Sequence, residues 1–234
     1  MRILLFAALL PAAVLLIFVY KKDSVEQEPI ALIGKVFALG AVSGIVAGII
    51  ETFVLGLFES MLPAESVALL ILEYFIGVAL VEELCKYFSM NIVHNNPAFN
   101  YVFDGIVYGA AAALGFAALE NVFYVLDGGI SVAVMRAIFA VPGHFSDGVT
   151  MGCFYGLARK YELQGDMGSA RNFRILSLAV PVLEHGFYDC ALSTDVDVLI
   201  ISALVVEVAF MAFALYLVNR MAKADEPLFR AGSE

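Results

Sequence analysis

The chain has 234 residues, 62% of them apolar and only 15% charged, with a mean hydropathy of +0.91. A soluble globular chain is roughly half apolar and a quarter charged, so this composition excludes a water-soluble fold. Its 23 acids against 13 bases leave a net charge of -10, which excludes nucleic acid as a partner because phosphate binding requires clustered Lys and Arg.

Long apolar runs predict helices over 3–20, 30–58, 67–93, 103–126, 131–157, 173–193 and 197–219. The first follows Met1-Arg2 but ends in Tyr20-Lys21-Lys22 without a small-residue cleavage site, so it reads as a membrane helix and not a signal peptide. The expected architecture is all-α: a polytopic membrane helix bundle of about seven transmembrane helices, forming a single integral membrane domain over 1–234 in the lipid bilayer of the cell. Orientation follows from the bases. Lys21 and Lys22, then Arg159, Lys160, Arg171 and Arg174, then Arg220, Lys223 and Arg230 occupy alternate connections. The intervening loops around Glu59 to Glu65, Asp127 to Ile130 and Ser193 to Asp197 carry no base, which predicts an N-out, C-in topology.

Glycine ladders at Gly40, Gly44 and Gly48 and at Gly148, Gly152 and Gly156 predict close helix packing within the bundle. Cys85, Cys153 and Cys190 each sit alone in an apolar stretch and read as small buried hydrophobes.

Ionisable residues inside a span cost roughly 2.5–3.5 kcal/mol each and face a cavity or a partner. Four segments carry them: Glu82-Glu83-Leu84-Cys85-Lys86; Glu120-Asn121; His144-Phe145-Ser146-Asp147; and Glu184-His185, with Asp189 four residues on. Lys86 lies at i+4 from Glu82 and i+3 from Glu83, so one ammonium reaches either carboxylate on a single helix face. The remaining carboxylate is then free for a metal ion or for proton transfer to and from water, a buried structural ion cluster or an ion pathway being the alternative. Asp147 and Asp189 follow His144 and His185 at i+3 and i+4, close enough to orient each imidazole. At about 1.5 Å per residue, Glu82 and His144 lie roughly 20 Å from the outer surface and His185 roughly 18 Å from the inner one, whereas Glu120 falls nearer the outer face. Glu51, Glu73 and Glu207 are isolated in their helices and read as interhelical hydrogen-bonding groups. Arg136 reads as a snorkelling base, and Asp104 as an acid suited to a helix N-terminus.

The ordered segments resemble the PrsW family of intramembrane proteases, and more distantly the group that includes the CAAX prenyl proteases and their bacterial relatives. The matching pieces are Glu82-Glu83-x-x-Lys86, Phe116-x-x-x-Glu120 with Asn121, His144 with Asp147, His185-x-x-x-Asp189, and the Asp104-Gly105-Ile106-Val107-Tyr108-Gly109 entry to the fourth helix. The resemblance covers roughly residues 70–195, within a protease-like core of about 67–195. It implies peptide-bond hydrolysis of a membrane-anchored protein substrate, the best-known family role being first-site cleavage of an anti-sigma factor. It also implies catalytic roles for Glu82, Glu83, Glu120, His144 and His185, supported by Lys86, Asn121, Asp147 and Asp189. Glu83, Glu120, His144 and His185 then suit a divalent metal of the zinc type, with the other acid of the Glu82/Glu83 pair as general base. In a metal-free version, Glu82 or Glu83 activates water directly and the histidines stabilise the oxyanion.

Other intramembrane chemistries lack their motifs: there is no His-Glu-x-x-His, no Gly-x-Gly-Asp, and Ser146 is outside a Gly-x-Ser-x-Gly setting. The rival classes are an ion- or proton-coupled transporter using the same buried groups as a relay, and a non-catalytic membrane scaffold. The absence of repeat symmetry argues against a transporter.

Overall fold

A computed structural model describes residues 1–228 of the chain, so Arg230 lies outside the described residues. The helices are α1 (Arg2–Lys22), α2 (Ile30–Met61), α3 (Val67–Ile71), α4 (Val81–Asn91), α5 (Val102–Ile138), α6 (Ala140–Leu163), α7 (Met167–Leu192) and α8 (Asp197–Lys223), with a π-helical stretch, Leu72–Leu80, joining α3 to α4. Every predicted run is largely helical, but the break expected at Asp127 to Ile130 is a kink at Gly129 inside α5, and the run predicted over 131–157 is interrupted at Phe139. By length and composition, five helices are suited to crossing a membrane among the described residues, with Val102–Leu163 counted as one. The difference from about seven has two causes. The rod over 67–91 is divided by its π stretch, and only Phe139 separates α5 from α6. Side chains such as Phe53, Ile76, Val134 and Val205 point outward, as a surface solvated by lipid requires.

α5 is the axis of the bundle, and each residue from Val102 to Ala118 is buried. A helix enclosed on all sides must present small residues to its neighbours, which explains Gly105, Gly109, Ala110 to Ala113 and Gly115. The α6 ladder meets this face directly. A Cβ on Gly152 would lie 2.6 Å from the Gly105 carbonyl carbon, and one on Gly109 would lie 2.9 Å from the Gly152 Cα. On the other side of α5, a Cβ on Gly40 would come 2.9 Å from the Ala112 carbonyl carbon. The ladders therefore pack within the bundle, except at Gly48, which has open space.

Helix ends follow local chemistry. Ser66 caps α3 by accepting from the Leu69 amide at 3.0 Å, and Asp166 caps α7 by accepting from the Ser169 amide at 3.0 Å. The Asp166 cap starts α7 at Met167, six residues before the predicted 173. Asp104 accepts the Asn100 and Tyr101 amides at 2.8 and 2.7 Å, in keeping with an acid at the N-terminus of α5. Within α5, Gly129 takes φ 73°, ψ -158°, a backbone state that only glycine adopts readily, and the chain changes course there. All three cysteines are free; Cys153 is buried, whereas Cys85 and Cys190 are only partly so.

Most bases gather at one end. Lys22 reaches Asn219 of α8 at 2.6 Å, Arg174 reaches Glu162 at 2.7 Å, and Lys160 pairs with Glu226. Counted from this end, Glu120 lies 18 residues beyond Val102, His144 lies 19 before Leu163, and His185 lies 18 beyond Met167. At about 1.5 Å per residue, all three stand roughly 27–28 Å deep. Glu120 stands apart only when depth is counted from the ends of the apolar runs, because α6 and α7 extend beyond those ends in the fold.

Candidate active site

The polar layer is assembled from α4, α5, α6 and α7. Lys86 is its hub, and its side chain is fully buried. Its Nζ donates to Glu83 Oε1 at 2.6 Å, to Glu82 Oε2 at 3.1 Å and to His144 Nδ1 at 2.9 Å, and it lies 4.5 Å from the centre of the Phe116 ring. The i+3 and i+4 spacing read from the sequence is thus used twice over by one ammonium. The π-helical stretch ends immediately before Val81 and so sets the rotation at which this pair enters the bundle; π segments recur at functional sites.

An ammonium has no acceptor, so His144 Nδ1 accepts from Lys86 and the imidazole proton resides on Nε2, which donates to Glu120 Oε2 at 2.8 Å. His185 faces carboxylates on both sides: Nδ1 lies 2.9 Å from Glu83 Oε1, and Nε2 lies 3.2 Å from Asp189 Oδ2 and 3.8 Å from Glu82 Oε2. Such an imidazole donates from both nitrogens when protonated. The two imidazoles stand edge to face, 5.5 Å between centroids.

The structure brings Glu82, Glu83, Lys86, Glu120, His144, His185 and Asp189 into one network. Asp147 differs from its expected part. It makes no hydrogen bond to His144, and its Oδ1 is buried without a partner, because Lys86 already occupies His144 Nδ1. Asn121 acts at one remove, donating from Nδ2 to the Ala8 carbonyl at 2.9 Å and accepting from Arg136 Nε at 2.5 Å.

Arg136 is the principal residue that sequence reasoning misplaced. It does not snorkel. Its Nη2 donates to Glu120 Oε2 at 2.7 Å, and its guanidinium covers the Tyr124 ring at 4.2 Å. The turn at Gly129 folds 130–138 back along the end of the preceding helix, so two residues 16 apart in sequence meet. The available signal was a lone arginine in an apolar stretch eight residues before a buried histidine.

Glu82, Glu120, Arg136, His144, His185 and Asp189 line a cavity of about 700 Å³ that reaches from the His144 and His185 layer to Leu192 and Ser193 at the end of α7. Glu82 faces it, and Glu83 is fully buried behind. Glu51, Glu184 and Glu207 also line it, whereas Glu73 does not. Glu184 on α7 and Glu207 on α8 both face this space, each with a buried Oε1 that has no hydrogen-bond partner. Glu184 gave no separate signal beside the His185 motif.

One ligand atom from each of Glu82, Glu83, His144 and His185 lies within 4.8 Å of the others, and Glu83 Oε2 is a buried oxygen without a partner. Two imidazoles and two carboxylates are a donor set that suits a zinc-type ion. Glu120 stands outside that group, on the far nitrogen of His144. In the structure the positive charge among these donors is the Lys86 ammonium.

A family model described as PrsW family intramembrane metalloprotease matches residues 28–218. The chain is 34% identical over 188 residues to a Protease PrsW of Geobacillus kaustophilus, covering 80% of this chain and 78% of that protein. It is 34% identical over 187 residues to a Protease PrsW of Oceanobacillus iheyensis, covering 80% and 81%. It is 34% identical over 189 residues to a Protease PrsW of Bacillus subtilis, again covering 80% and 81%. No solved structure matches the chain. The long apolar helices and these similarities make it a multi-pass protein of the cell membrane.

Proposed function

The chain belongs to the PrsW family, and on that premise we propose that it is an intramembrane protease acting on membrane-anchored protein substrates. The observation that carries this reading is the convergence of Glu82, His144 and His185 on one cavity at membrane depth, with Glu83 buried directly behind them. A dense set of acid and base groups is costly in a bilayer and marks a functional site. In the proposed orientation the N-terminus is outside, and the base-rich end, with Lys21, Arg159 and Arg220, is cytoplasmic. On that reading the rods over 67–91, 102–138 and 140–163 each span, giving seven passes in a single domain. A membrane-anchored anti-sigma factor is the proposed class of substrate.

Glu82, at the cavity wall, takes a proton from the attacking water and returns it to the leaving amine. Lys86 holds the Glu82 carboxylate in place and orients His144 through Nδ1. Glu120, clamped by Arg136, fixes the other side of the His144 ring. Glu83 and His185, with His144 once Lys86 releases its Nδ1, would hold a divalent ion, which when bound acts as a Lewis acid and lowers the pKa of a bound water. The position of the Lys86 ammonium supports a second reading, in which Glu82 activates water without a metal and the His144 and His185 N–H groups exchange Glu120 and Asp189 for the oxyanion.

The test is cleavage of a single-pass substrate co-reconstituted in liposomes. Glu82→Gln, Glu83→Gln, His144→Ala and His185→Ala are each expected to lower the rate by at least about 100-fold, the scale of a lost acid-base group. Wild-type rates in Glu83→Gln and His144→Ala would overturn the protease reading. Chelation followed by zinc separates the two versions: loss and rescue supports the metal, and full activity in metal-free protein supports glutamate alone.

A further inference from the structure

A second group of acids lies at the base-rich end, away from the cavity. Asp23 follows α1, Asp104 opens α5, and Asp225 follows α8; one oxygen from each lies within 4.8 Å of the others. Asp23 is 1% exposed and Asp104 0%. Their outer oxygens already have donors: Asp23 Oδ2 accepts the Glu28 amide at 3.1 Å, Asp104 Oδ2 accepts the Asn100 and Tyr101 amides, and Asp225 Oδ1 accepts the Phe103 amide at 3.0 Å. On Asp23 and Asp104 the second oxygen has none. Asp23 Oδ1 and Asp104 Oδ1 are buried with no hydrogen-bond partner.

Glu28 completes the group. It is 2% exposed and accepts a hydrogen bond from Tyr108 Oη, and its own amide donates to Asp23. Carboxylates packed this closely cannot all stay ionised without a cation among them; otherwise one takes up a proton. Among the described residues no Lys or Arg forms an ion pair with any of the four; Lys22, their nearest base in sequence, is directed to Asn219.

We propose that Asp23, Asp104 and Asp225, with Glu28 at their edge, form a second site that takes a hard divalent cation and clasps three distant segments of the chain. All its donors are oxygen, which selects calcium, magnesium or manganese over zinc. The segments it would join already meet through their backbones. Leu228 donates to the Asn100 carbonyl at 2.7 Å, and Val102 donates to the Glu226 carbonyl at 3.1 Å. A bound ion would supply the positive charge that these contacts do not, holding the α1–α2 connection and the segment after α8 against the head of α5.

The site is tested in full-length, detergent-solubilised Glu83→Gln/His185→Ala protein, so that the cavity cluster does not report. After EDTA treatment, calcium, magnesium and manganese chlorides are added singly and thermal unfolding is followed. One of them is expected to raise the unfolding temperature by about 5–10 °C at a hundredfold excess over Kd. Asp23→Asn/Asp225→Asn is expected to abolish the shift. Asp23→Asn alone is expected to change sign with conditions: stabilising in EDTA, where it removes a repelling charge, and destabilising at saturating ion. Bound manganese, read by electron paramagnetic resonance and displaced by calcium or magnesium, checks occupancy even if the double variant does not fold. The proposal is overturned if no ion shifts unfolding, if the shift survives in the double variant, or if Asp23→Asn stabilises equally with and without ion, which would leave a shared proton between the carboxyls instead.

Discussion

Replacing Lys86 with methionine keeps most of the side-chain volume and removes only the charge at the hub of the polar layer. In the wild-type protein the ammonium lies 2.6 Å from Glu83 and 3.1 Å from Glu82, with side chains 0%, 0% and 9% exposed, so water cannot replace it. Breaking a buried ion pair from one side costs about 3–5 kcal/mol, because the remaining charge is left uncompensated. Loss of the donor to His144 Nδ1 adds roughly 1 kcal/mol. At about 2–4 °C per kcal/mol for a chain of this size, the unfolding temperature should fall by roughly 10–20 °C. Cys153, 4% exposed, is a suitable reporter: in a Cys85→Ala/Cys190→Ala background, its labelling by a thiol-reactive dye follows unfolding in detergent. Adding Glu83→Gln to Lys86→Met should recover more than half of the loss, since it removes the stranded charge. A fall of less than about 2 °C in Lys86→Met, or no recovery in the double variant, would refute the argument that this ammonium neutralises the Glu82 and Glu83 pair.

Gly152→Ala should destabilise by about 1–3 kcal/mol, because its Cβ would meet the rigid backbone of Gly105 and Ile106 at 2.6–2.8 Å. Gly56→Ala, with open space around it, should be neutral or stabilising, and equal effects at the two positions in a thermal unfolding comparison would remove the close-packing explanation. His94 predicts a pH dependence. Tyr155 Oη donates to Asn91 and accepts from His94 Nδ1, leaving Nε2 beside Arg159 at 3.4 Å. Burial, then the Arg159 charge, holds the His94 pKa below its ordinary value near 6.5, so the folded state binds fewer protons than the unfolded one. Its contribution is therefore complete above about pH 6.5 and is lost as the pH falls below that. Unfolding temperatures measured from pH 7.5 to 5 should decline more steeply in wild type than in His94→Gln, and parallel curves would exclude His94 as the source.

The sequence by itself determined the helices and most of the chemistry. Apolar runs long enough to cross a bilayer must satisfy their backbone groups internally, so their composition dictates helix wherever they occur. The Glu82, Glu83 and Lys86 spacing, and that of His185 and Asp189, are single-helix relations, and the 3.6-residue turn makes them legible without a partner. What only the tertiary structure decided are the relations between helices. Three of these changed the picture: Lys86, not Asp147, orients His144; Arg136 turns inward to Glu120; and Glu120 shares a layer with His144 and His185. Each depends on where a neighbouring helix begins, bends or rotates, through the Asp166 cap of α7, the positive φ of Gly129 and the π stretch before Val81. Those local events shift every later side chain in depth or in angle, and hydropathy is blind to them because a displaced or rotated helix is as apolar as a straight one. The acids at the base-rich end follow the same rule: Asp23, Asp104 and Asp225 are remote in sequence, and only the packing of three chain segments brings their oxygens together.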